Sequence, residues 1–155
     1  MSERWIWVVR YLVVITLAVA LAVTLGEMDL FKTTKIGKTG LNAARLVQFL
    51  GFGGALLVFW FLSQRSALLL DEKDPRWKLI KNVLLPLATL IVVASGHAVM
   101  LLLLGPLMSK GWHQLYNWVF IGAIILSAAW LLAALLTGSA SLTPFGSSAR
   151  ALRRQ

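Results

Sequence analysis

The sequence contains no cysteine. Disulfides, thiolate metal sites, iron–sulfur clusters and cysteine nucleophiles are excluded, and cysteine usage says nothing about redox compartment. Acidic residues are scarce, with 6 Asp and Glu against 15 Lys and Arg, and none of them falls inside a long apolar run. Proton-coupled transporters and rotary devices usually load their ion on a carboxylate at depth, so a self-contained proton or sodium pump is disfavoured. Charge of either sign makes up 14% of the chain, where a soluble domain carries roughly 25%. The net charge of +9 and pI of about 10.7 raise the question of nucleic acid. Yet the basic residues stand near the ends of apolar segments, form no dense run, and accompany no recognisable nucleic-acid motif. Lipid phosphates are the better match for them, and no nucleic-acid partner is expected.

What the sequence does have is oil. Hydrophobic residues make up 59% of 155 positions and the mean hydropathy is +0.79. Four apolar stretches stand out, at residues 5–26, 46–62, 83–107 and 115–136. A crossing takes about 20 helical residues, with a range of about 17 to 25. Lipid cannot satisfy backbone N–H and C=O groups, and none of the stretches alternates as a barrel strand would. The first is basic at its start with small residues at 18–22, the outline of a secretory signal peptide; it is expected to remain as a membrane helix. The fold expected is thus an all-α integral membrane protein, one transmembrane domain over 1–155. It is a four-transmembrane-helix bundle with a flexible basic tail at 138–155.

Lys and Arg between the stretches set orientation. Arg4, Arg10, Arg65, Lys73, Arg76, Lys78, Lys81, Arg150, Arg153 and Arg154 group on one side, and Lys32, Lys35, Lys38, Arg45 and Lys110 on the other. That is 10 against 5, so both termini are expected to be cytoplasmic, with a bacterial inner (plasma) membrane as the favoured setting. The loops look non-catalytic. "GKTG" lacks the frame of a phosphate-binding loop. "DEKDPRWK" reads as a solvated elbow with Trp77 at the interface; a divalent-cation site from Asp71, Glu72 and Asp74 is the alternative, opposed by Lys73 in their midst.

Polar residues inside apolar runs are costly to bury unless partnered, so they mark candidate sites. His97, in "VVASGHAVMLLLLGP", lies about 21 Å along its stretch from Val83 at 1.5 Å per residue, near mid-membrane. At about 100° per residue, Asn82, Pro86, Thr89, Val93, Gly96, His97 and Met100 share one arc, which is expected to face protein. Three roles compete for His97. It can be a neutral packing histidine, bonded to a group on an adjacent helix. It can be an axial ligand to haem or a chlorin, or bind copper with help from Met100. It can be a proton-relay or substrate-contact residue. The only other histidine, His113, is 16 residues on, roughly 24 Å away along a continuous helix. A porphyrin would therefore need its second ligand from another subunit.

Small residues mark expected helix seams: Gly51, Gly54 and Ala55 in the second stretch, Gly96 in the third, Ala123 and Ser127 in the fourth. Gln48, if buried, needs a hydrogen-bond partner. Arg10 is expected to snorkel to headgroups beside Trp5, Trp7 and Tyr11, and Trp77 and Trp112 to sit in the interfacial belts. Trp60 and Trp130 fall deeper and are read as filling gaps between helices.

"RLVQFLGFGGALLVFWF" followed by "ASGHAVMLL" resembles part of the four-helix membrane modules of the copper-resistance type, where an Arg-containing, glycine-rich helix precedes one with a Gly-centred motif. The histidine such a module has early in the first of these helices is replaced here by Gln48, so no ligand is carried over. The preferred expectation is a non-catalytic membrane subunit that packs within or anchors a larger complex, with lipid and other membrane subunits or further copies of itself as partners. A haem-, chlorin- or copper-binding redox subunit using His97 and a small oligomeric transporter or channel are the alternatives. No paired acid–base set, Ser/His/Asp set or metal-ligand set points to an enzyme.

Overall fold

The computed structural model describes residues 3–37, 40–69 and 75–140, with side chains described over 6–37, 40–69 and 80–137. Five helices follow one another: α1 (Glu3–Glu27), the short α2 (Asp29–Thr33), α3 (Ala43–Leu69), α4 (Pro75–Leu104) and α5 (Lys110–Ala140). Four are long and apolar enough to cross a membrane, over Ile6–Glu27, Ala43–Leu69, Ile80–Leu104 and Lys110–Thr137. The fold is all-helical, with no strand among the described residues and one isolated bridge, Lys35 to Asn42. The chain turns there at Gly37, whose φ of 65° suits a residue without a Cβ.

The helices outrun the apolar stretches at both ends, because hydropathy marks only what is oily while the backbone gains hydrogen bonds wherever it keeps turning. The exception is the end of α4, which stops at Leu104 rather than 107. A Cβ on Gly105 would stand 2.5 Å from the Leu101 carbonyl oxygen, and Pro106 has no N–H to continue the ladder. Leu107 and Met108 both donate back to the Leu104 carbonyl, at 2.9 and 3.0 Å, closing a tight turn into α5.

Neighbours are antiparallel and packed in series. The start of α1 meets the end of α3 where the Arg65 guanidinium lies 5.2 Å over the Trp7 ring, and the far end of α1 meets the start of α3 where Gln48 lies on Gly26. Next, Gly53 of α3 faces Val99 of α4, and His97 of α4 faces Asn117 of α5. Among the described residues no Cα of α1 comes within 8 Å of α4 or α5, nor any of α3 within 8 Å of α5. A closed bundle would bring the first and last long helices together; this is an open row, α1–α3–α4–α5. The difference from the expected bundle has a physical reason. Helices that are apolar all round gain nothing from closing a ring if hydrocarbon can cover their outer faces.

Contacts within the row are made by small residues. The buried apolar set among the described residues is Ala22, Ala44, Ala55, Ala67 and Ala88 with Leu41 and Leu62, and no large side chain is fully enclosed. Helix hydroxyls bond their own backbone one turn back: Ser63 to the Phe59 carbonyl at 2.9 Å, Thr89 to Leu85 at 2.8 Å, Ser127 to Ala123 at 2.8 Å.

Candidate functional site

The α4–α5 hairpin brings a cluster of polar and aromatic residues together around His97. Two hydrogen bonds between its arms end on His97. The imidazole Nε2 lies 3.3 Å from Asn117 Oδ1; facing an amide oxygen, Nε2 carries the proton and donates. The Tyr116 hydroxyl donates to the His97 main-chain carbonyl at 3.1 Å. Tyr116 also stacks on the imidazole, with centroids 5.4 Å apart and planes at 27°. Phe120 meets it edge-on at 5.1 Å and 68°, and the two aromatic rings lie 4.7 Å apart.

Helical spacing assembles this cluster. His113, Tyr116, Asn117 and Phe120 fall at intervals of three and four on α5, hence on one face. That periodicity is present in "HQLYNWVF", but only a hairpin turned at Gly105 and Pro106 lays these residues against His97. The same turn corrects the separation of the two histidines. α5 runs back along α4, so His113 shares a groove with the residue that holds His97. His97 lies seven residues before Leu104, about 10 Å from the end of its helix, and five residues past the middle of the apolar span Ile80–Leu104.

In this arrangement Nε2 is taken by Asn117, and ligation of haem or chlorin iron, or of copper, through that nitrogen would have to displace the amide. Met100 is 42% exposed. Among the described residues no three His, Asp or Glu side chains gather as a metal site. The cation site considered at Asp71, Glu72 and Asp74 lies outside the described residues.

Beside the cluster, where α5 begins, Met108, Lys110, His113, Gln114 and Asn117 line an open groove of about 400 Å³. Asn117 belongs to both. Its oxygen is turned to His97, which leaves its NH2 as the hydrogen-bonding end still unassigned.

The other expected site residues are scattered. Gly51 packs against α1: a Cβ there would stand 2.5 Å from the Ala22 Cβ and 2.9 Å from the Ala18 carbonyl oxygen. Ala55 is buried, whereas a Cβ on Gly54 or Gly96 would meet nothing within 4 Å. Ser127 is buried and Ala123 half-buried, one turn apart on α5. Gln48 lies across Gly26. On α1, Arg10 is exposed, while Trp7 is edge-on to Tyr11 at 6.0 Å and capped by Arg65, a contact between helices that charge counting did not reveal. Trp112 is 65% exposed. Trp130, read as a gap-filler, is half exposed at 50%, so its ring faces outward on an edge helix. The side chains of Trp5 and Trp77, and the tail from 138, lie outside those described.

No known protein family, curated protein or solved structure matches this chain.

Proposed function

We propose that the chain is a non-catalytic subunit of a membrane protein complex, held by four crossings with both termini on the cytoplasmic side of a bacterial inner membrane. It works by packing against partners. The observation that carries this reading is the open row: α1 and α5 each have a single long-helix neighbour. Lipid can cover such edges, but α5 adds a feature that lipid does not need. Gly122, Ala129 and Ala133 are exposed and lie on one face at about 100° per residue. Small residues at such spacing let a second helix approach backbone to backbone, which is how helices associate where no hydrophobic drive separates protein from lipid. His97, Tyr116 and the Asn117 oxygen, in turn, are engaged in holding the hairpin together, which favours a packing role for His97 over a ligand role.

The test is purification from native membranes in mild detergent. The expected result is a particle larger than the chain with its micelle, whose companions are lost on Gly122→Ile. A monodisperse single chain that brings nothing with it would remove the reading's main support. A Soret band that disappears in His97→Ala would replace it with the redox-subunit reading. An alkaline phosphatase fusion at Gln155 should be inactive if the termini are cytoplasmic; an active fusion reverses the orientation.

A further inference from the structure

From the groove at the start of α5, we infer a binding site at the membrane surface for the phosphate of a ligand with net negative charge. Its lining supplies what a phosphate needs. Lys110 brings an ammonium, His113 an imidazole, and Gln114 and Asn117 an amide each. Asn117 is held in the donating orientation. Its oxygen accepts from His97 Nε2 at 3.3 Å, so its NH2 is the end available to the groove. His97 is thus a positioning residue, acting through Asn117 without touching the ligand.

Charge makes the groove selective. No Asp or Glu occurs anywhere after Asp74, so neither helix of the hairpin nor its turn can offer a carboxylate to Lys110, and the described residues give Lys110 no ion pair. A lysine left uncompensated beside three further hydrogen-bonding side chains favours an anion with several acceptor oxygens. The groove is open and holds about 400 Å³, which is room for a phosphate group and leaves the group that carries it outside. A phosphate could come from two sources, an anionic phospholipid or free phosphate. Below the groove, Trp118, Ile121, Ile125 and Leu132 are all exposed and lie on the face of α5 that continues from Gln114 at about 100° per residue. An acyl chain leaving a headgroup in the groove would run down that stripe.

The test uses the full chain in a non-ionic detergent, titrated with dihexanoyl phosphatidylglycerol, dihexanoyl phosphatidylcholine and inorganic phosphate, and read by tryptophan emission. Phosphatidylglycerol should saturate, with Kd raised about tenfold by Lys110→Gln. Asn117→Asp keeps an acceptor for His97 but replaces the donor in the groove with a negative charge, and should weaken binding at least as much. Lys110 is exposed, so its loss leaves the hairpin intact. Competition by inorganic phosphate at concentrations like those of the lipid keeps the site and assigns it to free phosphate; failure to compete assigns it to lipid. Equal response to phosphatidylcholine, or Kd values unchanged in both variants, would overturn the inference.

Discussion

At the level of single residues, the question raised by His97 is what an imidazole gains among leucines and valines. Burying it unpartnered would cost roughly 1–3 kcal/mol, and the partner is an amide 3.3 Å away on the neighbouring helix. Hydrogen bonds between membrane helices average about 0.6 kcal/mol, with a maximum near 1.7. A double-mutant cycle with His97→Ala and Asn117→Ala, read by unfolding in mixed micelles, should return a coupling in that range, and additive effects would remove the bond from the account. Steric demands are sharper than polar ones. Gly51→Leu places new atoms where Ala22 and the Ala18 carbonyl already stand and should destabilise by about 1–3 kcal/mol. Gly54→Ala and Gly96→Ala enter open space inside helices and should stabilise by up to about 0.5–1 kcal/mol through backbone entropy. Glycine spacing in the sequence named all three positions as seams but could not separate them. Contact depends on which way α1 approaches, and a four-residue interval carries no information about a neighbour.

The helices were the most legible feature. Each long apolar run became a helix because the alternative, bare peptide groups in hydrocarbon, is prohibitive whatever the side chains do. Their ends were less legible, since Ala43 to Leu69 stays helical well past the oily core of "LVQFLGFGGALLVFWFL". One consequence is that Arg65, counted only as a positive charge setting orientation, sits on the helical extension of α3 and reaches Trp7 on α1. A guanidinium over an indole contributes about 0.5–1 kcal/mol at an exposed site. Arg65→Gln should therefore loosen the α1–α3 pair by that amount in the same unfolding assay. Arg10→Gln, which removes an exposed arginine with no ring beneath it among the described residues, should leave stability nearly unchanged. Equal losses from the two would mean that charge near the headgroups, not the ring contact, is what matters.

For the whole molecule, element count and type followed from hydropathy, but the order of neighbours did not. Four antiparallel rods can close into a square or lie in a row, and the apolar periods of α1 and α5 are compatible with either because lipid and protein are equally oily partners. The contacts choose the row, and the absence of native cysteine makes that choice directly measurable. Gly53→Cys with Val99→Cys should oxidise readily within one chain. A Cβ at Gly53 stands 3.7 Å from Val99 Cγ1, so the two positions are in direct contact across the α3–α4 seam. Val13→Cys with Leu126→Cys joins the exposed faces of α1 and α5. At one chain per micelle this pair should stay reduced, because two helices separate the thiols. A bond forming there within a single chain would mean the row closes and the edges are not free. If it forms only between chains, at higher protein-to-detergent ratios, the edge of one copy meets the opposite edge of the next. Such head-to-tail contacts build rings or open arrays rather than two-fold dimers, so the ladder of crosslinked species on a denaturing gel should extend beyond the dimer.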